Sequence, residues 1–408
     1  MIYDLIIIGG GPAGSSAVLF ARKANLKTLL IEKDKFPRDK ICGDALSGKT
    51  VAALRKLNLL DSMGPLPKYE AKGVIFSAPN GNSVPITFRS SLSEHTGLSG
   101  YVCKRMDFDN YLFKHARQST ERTLEDFTPT KLYRDAEGIM HLQGRENGST
   151  NEREFMGRLI IGADGYKSFV ARQLGFYSHE SAHMLVALRA YYENVSEMTE
   201  FIEIHFVKES LPGYFWIFPL PGNMANVGIG MRHHDIKKRN IDLQATLQKV
   251  IDSPTFAPRF KQAKLTQKIK GWNLPTGSIF RPNFHDGVLL IGDAAGLVDP
   301  FTGEGIGNAM ASAEIAVEVA KEALSLGDTS GNFLGNYDTK LKQLLSGELK
   351  LSYQLQTIGR RFPFLLNLVI NKASNNKKIA DWISLMIADE NAKEELTSMF
   401  TYVKLLWA

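Results

Sequence analysis

The stretch Leu5-Ile6-Ile7-Ile8-Gly9-Gly10-Gly11-Pro12-Ala13-Gly14 decides the fold that we predict for this 408-residue chain. An apolar run ends in Gly9-x-Gly11-x-x-Gly14, which is typical of a strand followed by a tight turn and a helix. Gly9 permits the turn, and Gly11 lets the backbone approach a pyrophosphate. Gly14 allows the helix to pack closely on the strand. The motif predicts a nucleotide-binding β-α unit.

The residues that follow complete this unit. A helix is predicted through Lys23, and a second strand from Thr28 to Glu32. This β-α-β order predicts a parallel, doubly wound sheet. Glu32 lies 18 positions after Gly14, where a carboxylate can accept both hydroxyls of an adenosine ribose. The residues predicted to bind the cofactor in this part are Gly9, Gly11, Pro12, Ala13, Gly14, Glu32 and Lys33.

A later segment distinguishes FAD from NAD. The apolar strand 287–291 ends at Gly292-Asp293, where the carboxylate can bond the ribityl chain that NAD lacks. The segment 300–308 is a glycine-rich turn that opens a helix, and its N–H groups and dipole favour negative charge on a flavin. The cofactor-binding residues predicted here are Gly292, Asp293, Pro300, Gly303, Gly305 and Ile306. The sequence therefore predicts bound FAD.

A third motif, Asp164-Gly165-x-x-Ser168, would by itself be read equally well as an ordinary turn. Because it carries these three motifs, the stretch of roughly residues 1–325 resembles the flavoprotein superfamily of p-hydroxybenzoate hydroxylase. The resemblance implies that Asp164 and Gly165 touch both FAD and a reduced nicotinamide donor. It also implies that Arg105, at the start of a predicted helix, contacts the FAD phosphates. The alternative for Arg105 is a solvated arginine at a helix start.

Two further stretches, Lys40–Ser47 and Pro212–Pro219 with the following Asn226–Gly230, resemble the geranylgeranyl reductase family. Members of that family saturate double bonds of isoprenoid chains in membrane lipids, chlorophyll side chains or quinone tails. The resemblance implies that Tyr214 and Trp216 line the substrate channel and that Cys42, followed by Gly43, lies close to the flavin. Flavin-dependent halogenases carry a similar aromatic element.

Alternate residues of a strand share a face, so Tyr214, Trp216 and Phe218 are predicted to form one aromatic wall. Such a wall suits an isoprenoid chain and offers little to a polar substrate. Two plainer interpretations stay open. One is that the aromatic side chains only fill a core, and the other is that Cys42 is a small buried residue. Cys103 belongs to no motif and is interpreted as core.

The predicted fold class is mixed α/β, with an FAD-binding Rossmann-like domain interleaved with an antiparallel β-sheet substrate domain and followed by a helical region. The FAD-binding domain comprises 1–72, 100–180 and 276–330. The substrate domain comprises 73–99 and 181–275, and the C-terminal helical region comprises 331–408.

Composition limits the classes of function. A net charge of +6 without a basic run or zinc-finger spacing argues against nucleic-acid binding. The chain has only two cysteines, which favours the reducing cytoplasm as its location. The protein would be either free there or peripheral at the inner face of the membrane. No metal is predicted, because the nine histidines show no ligand spacing and His233 and His234 are predicted on opposite faces of a strand.

The C-terminal region has two open interpretations. Residues 340–378 hold eight basic residues and one acid, Glu348, interleaved with the apolar stretch 362–370, and the chain ends in an apolar segment from Met399 to Ala408. Such a composition can hold a protein against an anionic bilayer. It also fits a helical cap with a solvated basic face.

The leading hypothesis is a reductase that saturates an alkene in an isoprenoid-like small molecule, with Cys42, Tyr214 or water donating the proton. The alternatives are an aromatic-hydroxylase type of monooxygenase, a halogenase using Lys49 or Lys72, and a flavin-binding redox sensor. The sequence has no second glycine-rich fingerprint. A nicotinamide donor, NAD(P)H, would therefore visit only transiently, and reduced ferredoxin is the other candidate.

Overall fold

The computed structural model describes residues 1–88, 100–176 and 180–388. The strands within these ranges are β1 Ile2–Ile8, β2 Thr28–Ile31, β3 Ala45–Leu46, β4 Lys68–Ala71, β5 Gly73–Ser77, β6 Ser83–Thr87, β7 Gly100–Cys103, β8 Arg122–Leu124, β9 Phe127–Arg134, β10 Met140–Glu146, β11 Glu152–Gly162, β12 Met184–Glu193, β13 Phe201–His205, β14 Tyr214–Leu220, β15 Met224–Arg232, β16 Lys264–Leu265, β17 Lys270–Pro275, β18 Phe284–His285 and β19 Val288–Leu290. The helices are α1 Pro12–Lys23, α2 Gly48–Lys56, α3 Arg105–Ser119, α4 Phe169–Gln173, α5 His233–Arg239, α6 Leu243–Ile251, α7 Ala257–Phe260, α8 Ile306–Leu326, α9 Gly331–Arg361, α10 Phe364–Asn375 and α11 Lys377–Ala388.

The first sheet carries the nucleotide-binding motifs. Its order is β18-β19-β11-β1-β2-β8, and the pairs among β19, β11, β1, β2 and β8 are parallel. Leu5, Ile6 and Ile7 are fully buried because α1, α3 and α8 cover the strands. The predicted parallel, doubly wound sheet is confirmed.

The register of this sheet brings the motifs to one edge. Ile8 of β1 is level with Gly162 of β11, which is level with Leu290 of β19. The loops that follow these three parallel strands therefore leave the sheet side by side. This is the edge at which doubly wound sheets bind ligands.

The second sheet is largely antiparallel. Its order is β16-β12-β15-β14-β13-β5-β6, with β17 paired to β12. The strands β5 and β13 pair in parallel, so chain segments more than a hundred residues apart share this sheet. A small third sheet, β3-β7-β4, joins segments that precede and follow residues 89–99. The division of the chain into domains stays a prediction.

The predicted helical character of the C-terminal region holds for its described part, α9 to α11, whereas Met399–Ala408 lie outside the described residues. The prediction for His233 and His234 was wrong, because β15 ends at Arg232 and both histidines begin α5. Within the described ranges, no group of three or more His, Cys, Asp or Glu side chains could hold a metal ion. No helix in the same ranges is both long and apolar enough to cross a bilayer.

Candidate functional site

The glycine-rich loop between β1 and α1 has no room for side chains at Gly9, Gly10 and Gly14. Gly9 has φ +105°, and a Cβ there would lie 2.4 Å from Ala163 O. A Cβ on Gly14 would lie 1.8 Å from Gly9 O, so α1 packs directly on the loop. Among the described residues, no side chain caps α1, whose N-cap residue is Gly11. The first N–H groups of α1 therefore point towards whatever anion the loop binds.

Glu32 lies beneath this loop and is 4% exposed. Its Oε2 accepts a hydrogen bond from the Gly10 N–H at 2.8 Å, and its Oε1 accepts one from the Asp34 N–H at 3.0 Å. Arg38 Nη2 lies 3.8 Å from Glu32 Oε2. The carboxylate is thus oriented before any ribose binds. The neighbouring Lys33 side chain is exposed.

The second glycine-rich segment links β19 to α8 and packs on the first loop. Gly292 has φ +61°, and a Cβ there would lie 3.1 Å from Ala13 Cβ on α1. A Cβ on Gly305 would lie 3.5 Å from Asp293 Oδ1, so this glycine keeps space beside the carboxylate. In the described part of the chain, no side chain caps α8, whose N-cap residue is Gly305. Two uncapped helix N-termini thus face one region.

Asp164 follows β11 at the same edge of the sheet. Its Oδ2 accepts hydrogen bonds from the N–H groups of Phe169 at 2.6 Å and Val170 at 3.2 Å and so caps α4. Its Oδ1 is buried and has no hydrogen-bond partner among the described residues. Burial raises the pKa of Asp164. A buried oxygen without a partner indicates that a bound molecule supplies the donor.

Arg105 is buried rather than solvated, with 6% exposure. Its Nε and Nη2 donate to Asp109 at 2.6 and 2.8 Å, and Arg38 Nη1 donates to the same carboxylate at 3.0 Å. Burial lowers the pKa of the Arg105 guanidinium, but Asp109 and the nearby Cys42 raise it above its usual value. One buried carboxylate therefore holds two arginines between the glycine loop and Cys42.

Lys40 is a partly buried cation, with a side chain that is 20% exposed, and our sequence analysis did not assign it to the site. Its Nζ lies 3.9 Å from Asp293 Oδ2 and 4.1 Å from the centroid of the Trp272 ring. Burial lowers the pKa of Lys40 to about 8, against the opposing effect of Asp293. The only signal in the sequence was the position of Lys40 in the stretch Lys40–Ser47, two residues before Cys42.

The predicted aromatic wall is present on β14, and we use this name for Tyr214, Trp216 and Phe218. The ring centroids of successive members are 6.1 and 6.2 Å apart. Phe215 and Ile217 point to the opposite face and are fully buried in a different cluster. The alternation predicted for this strand is therefore confirmed.

Both polar groups of the wall are bonded within the protein. Tyr214 donates its hydroxyl hydrogen to Thr302 O at 2.5 Å, which ties β14 to the second glycine-rich segment. Trp216 Nε1 donates to Asn226 Oδ1 at 2.9 Å. Neither donor needs a partner from a substrate, so the wall offers a substrate mainly its ring surfaces.

A buried polar network joins the wall to the Cys42 loop. Asp44 is fully buried, and its Oδ2 accepts hydrogen bonds from Tyr191 Oη at 2.7 Å and Asn226 Nδ2 at 2.8 Å. Asn226 Nδ2 also donates to Cys42 O at 2.8 Å, and the Arg105 N–H donates to Asp44 Oδ1 at 3.2 Å. Burial raises the pKa of Asp44 to about 6, and these hydrogen bonds oppose the rise. Our sequence analysis assigned no role to Asp44, Asn226 or Tyr191.

The structure thus brings the loops after β1, β11 and β19 to one edge of the first sheet and places the Cys42 loop against Asn226 beside the aromatic wall. Gly43 packs against this wall, since a Cβ there would lie 3.1 Å from the Phe218 ring. The lysines considered for halogenation are engaged elsewhere. Lys49 Nζ donates to Asn308 Oδ1 at 2.9 Å and pairs with Glu348, while the exposed Lys72 pairs with Glu200 at 2.7 Å.

These features fit FAD. Two uncapped helix ends, a glycine loop without room for a Cβ, the cations Lys40 and Arg105, and the free oxygen of Asp164 suit a dinucleotide with a pyrophosphate and sugar hydroxyls. The assignment of individual residues to the cofactor stays a prediction.

A small cleft of about 40 Å³ opens beside Asp293, on the side lined by Tyr166 and Arg281. Arg281 is half-buried, and in the described structure its Nε has no hydrogen-bond partner. Burial lowers the pKa of Arg281, and Glu180 opposes this effect. The cleft therefore offers a cation next to the second glycine-rich segment.

Comparison with known proteins agrees with this geometry. Residues 3–343 match the model of the FAD binding domain family. The chain is 31% identical over 353 residues to a digeranylgeranylglycerophospholipid reductase of Methanocaldococcus jannaschii, covering 84% of this chain and 83% of that protein.

Two solved structures are also similar. A geranylgeranyl bacteriochlorophyll reductase-like protein of Thermoplasma acidophilum has a TM-score of 0.82 at 25% identity, covering 97% of this chain and 98% of the other. A flavin-dependent brominase has a TM-score of 0.77 at 20% identity, covering 99% of this chain and all of the other. The brominase shows similarity of fold alone.

Proposed function

Because the chain belongs to the FAD binding domain family and, within it, to the geranylgeranyl reductase family, we propose that it saturates carbon–carbon double bonds of an isoprenoid-type lipid. It is an FAD-dependent oxidoreductase of the reductase type. The relative from M. jannaschii is named for reduction of a digeranylgeranyl glycerophospholipid, and an ether or ester lipid of that class is the substrate we propose here.

The observation that carries the proposal is the aromatic wall beside the Cys42 loop. Because the Tyr214 hydroxyl and the Trp216 indole N–H are already bonded inside the protein, the wall gives a polar substrate little to bind. An apolar polyprenyl chain, in contrast, gains contact area on the ring faces.

When bound and reduced, FAD would supply a hydride, that is two electrons and one hydrogen, to one carbon of the double bond. The residues we propose to hold it are Gly9, Gly11, Gly14, Glu32, Lys40, Arg105, Asp164, Asp293, Gly303 and Gly305. The uncapped starts of α1 and α8 stabilise negative charge, while Asp164 Oδ1 accepts a hydrogen bond from a sugar hydroxyl.

The second carbon of the alkene needs a proton, and we assign it to Cys42. The Tyr214 hydroxyl hydrogen is donated to Thr302 O, which leaves Cys42 as the better placed of the two side chains. Transfer of the Sγ proton to carbon leaves a thiolate, which the adjacent Arg105 cation stabilises until water returns a proton.

A reduced nicotinamide or a reduced ferredoxin is the electron donor in this proposal. The cleft at Tyr166 and Arg281 lies beside Asp293 and provides a cation for a phosphate-bearing donor, which favours the nicotinamide. Anaerobic stopped-flow reduction with NADH, NADPH and ferredoxin, repeated with Arg281→Ala, separates the donors. We also propose that the protein works at the surface of a membrane, because its substrate is a lipid.

The test is anaerobic incubation of the reduced holoenzyme with a polyprenyl phospholipid, followed by mass spectrometry. We expect the mass of two hydrogen atoms to be gained for each reduced bond. No gain with any polyprenyl lipid, while the flavin is reduced normally, would contradict the proposal. Incorporation of labelled oxygen or of bromide into an aromatic compound would instead support a monooxygenase or a halogenase.

A further inference from the structure

The junction of α9 and α10 carries three exposed apolar side chains. Phe362, Phe364 and Leu368 are 42%, 62% and 40% exposed, and the two phenylalanine ring centroids are 6.1 Å apart. Phe364 and Leu368 share one face of α10, because they are four residues apart. We call these three residues the apolar patch. Large apolar side chains grouped in this way mark a contact surface more often than scattered ones do.

The sequence on either side of the apolar patch is basic. Residues 349–380 contain six basic residues and no acidic residue. Of the basic residues, Arg361, Lys377 and Lys378 are exposed, and the Arg361 guanidinium lies 5.5 Å from the centroid of the Phe362 ring. An exposed apolar helix face with basic residues around it complements an anionic lipid interface.

The inner face of α10 leads to the aromatic wall. Leu366, Ile370 and Ala373 pack in one apolar cluster with Phe206, Phe301 and Tyr214. The Phe206 ring centroid is 6.2 Å from that of Tyr214 and 6.2 Å from that of Phe301. Apolar side chains thus connect α10, which carries part of the apolar patch, with the Tyr214 end of the wall.

We propose that α10 docks on the anionic surface of a lipid bilayer through the apolar patch and the cations Arg361, Lys377 and Lys378. Docking there brings the bilayer next to the apolar cluster that ends at Tyr214, so a polyprenyl chain can pass from lipid to the wall without crossing water. The passage of a polyprenyl chain to the wall rests on the proposed function, whereas the binding of α10 to the bilayer does not.

The experiment is flotation of the full-length holoprotein with vesicles of phosphatidylcholine alone or of phosphatidylcholine with phosphatidylglycerol. We expect binding to the anionic vesicles only. The triple variant Arg361→Gln/Lys377→Gln/Lys378→Gln should lose about fivefold in vesicle affinity for each charge removed. Phe362→Ser/Phe364→Ser should lose about tenfold.

The matched control is Leu326→Ser/Leu344→Ser, which removes two other apolar side chains that are 70% and 49% exposed. It should float like the wild type. Flavin absorbance of each variant verifies folding. Absence of wild-type flotation, or unchanged flotation of Phe362→Ser/Phe364→Ser, would overturn the proposal. So would a dimer that the phenylalanine variant abolishes without any vesicle binding, since that would assign the patch to a second copy of the chain.

The two proposals fail separately. A protein that floats but reduces no polyprenyl lipid contradicts the proposed function and leaves the docking surface standing. A protein that reduces a detergent-solubilised polyprenyl lipid but does not float contradicts only the docking surface.

Discussion

Asn226 donates a hydrogen bond to the Asp44 carboxylate at 2.8 Å across 182 residues of sequence. The same amide bonds Cys42 O and accepts from Trp216 Nε1, so it positions the proposed proton donor and the aromatic wall together. Only an amide side chain offers donors and an acceptor in this arrangement. Asn226 is therefore a positioning residue.

Asn226→Ala should leave the Trp216 N–H and Cys42 O without this partner and destabilise the protein by about 2 kcal/mol. We expect bound FAD to be retained, turnover to fall and the tryptophan fluorescence to shift. Urea unfolding, flavin absorbance and single-turnover reduction measure the three effects. Normal turnover in a folded variant would contradict the positioning role.

The raised pKa of Asp44, about 6 instead of 3.8, has a predictable effect on stability. The folded protein holds this proton more tightly than the unfolded chain, so stability is lost as pH rises through 6. Between pH 4 and 7, wild-type apoprotein should lose about 3 kcal/mol relative to Asp44→Asn. Urea unfolding of both proteins at several pH values measures the difference, and parallel pH profiles would refute it.

Two variants of Asp164 should distinguish its contribution to stability from its contribution to FAD binding. Asp164→Asn can keep the cap of α4 through its carbonyl oxygen while it replaces the free oxygen with a donor. Apoprotein stability should be nearly unchanged, whereas FAD affinity should fall by about 2 kcal/mol. Asp164→Ala should lose both affinity and about 1 kcal/mol of stability. Isothermal titration with FAD and thermal unfolding of the apoprotein give the two quantities.

The lowered pKa of Lys40 predicts pH-dependent cofactor binding. Its ammonium is lost as pH rises through about 8 in the free protein, and bound phosphates favour the protonated form. FAD affinity should therefore decrease above pH 8 in the wild type. Lys40→Met should bind FAD about tenfold more weakly at pH 7 and show no such decrease. Equal pH profiles for the two proteins would show that Lys40 does not contact the cofactor.

Two glycines of β15 provide a matched pair of variants. A Cβ on Gly228 would lie 2.2 Å from the Trp216 ring and 2.2 Å from the backbone oxygen of Leu188, whereas one on Gly230 would lie 3.7 Å from the Trp216 ring. Gly228→Ala should displace the indole and cost about 2 kcal/mol. Gly230→Ala should resemble the wild type. Thermal unfolding and tryptophan fluorescence distinguish them, and similar results for both would argue against a tightly packed wall.

Alanine variants of the two cysteines should differ in turnover. Cys42→Ala should lower alkene reduction strongly with unchanged FAD content, because it removes the proposed proton donor. Cys103 is fully buried, and burial raises the pKa of its thiol to about 12. Cys103→Ala should cost about 1 kcal/mol of stability and spare turnover. Turnover by Cys42→Ala at the wild-type rate would assign the proton to water.

The sequence predicted what local patterns encode: the β-α-β unit, the two glycine-rich segments, and the alternation on β14. It missed Asp44 and Asn226, because their contact depends on how two sheets meet across 182 residues. Lys40 was missed since its burial comes from Trp272, far along the chain. His233 was misplaced because nothing in the local alternation marks the end of β15 at Arg232.

The parallel pairing of β1 with β11, and of β11 with β19, also governs the order of events during synthesis. The loop after β1 leaves the ribosome early, yet its neighbours in the sheet follow some 150 and 280 residues later. Contacts this distant in sequence form slowly, because long loops must close first. The growing chain must therefore keep the unpaired edge of β1 from aggregating until β11 arrives. Since we propose that the start of α8 holds the cofactor, we expect FAD to be captured with full affinity only after α8 has been made.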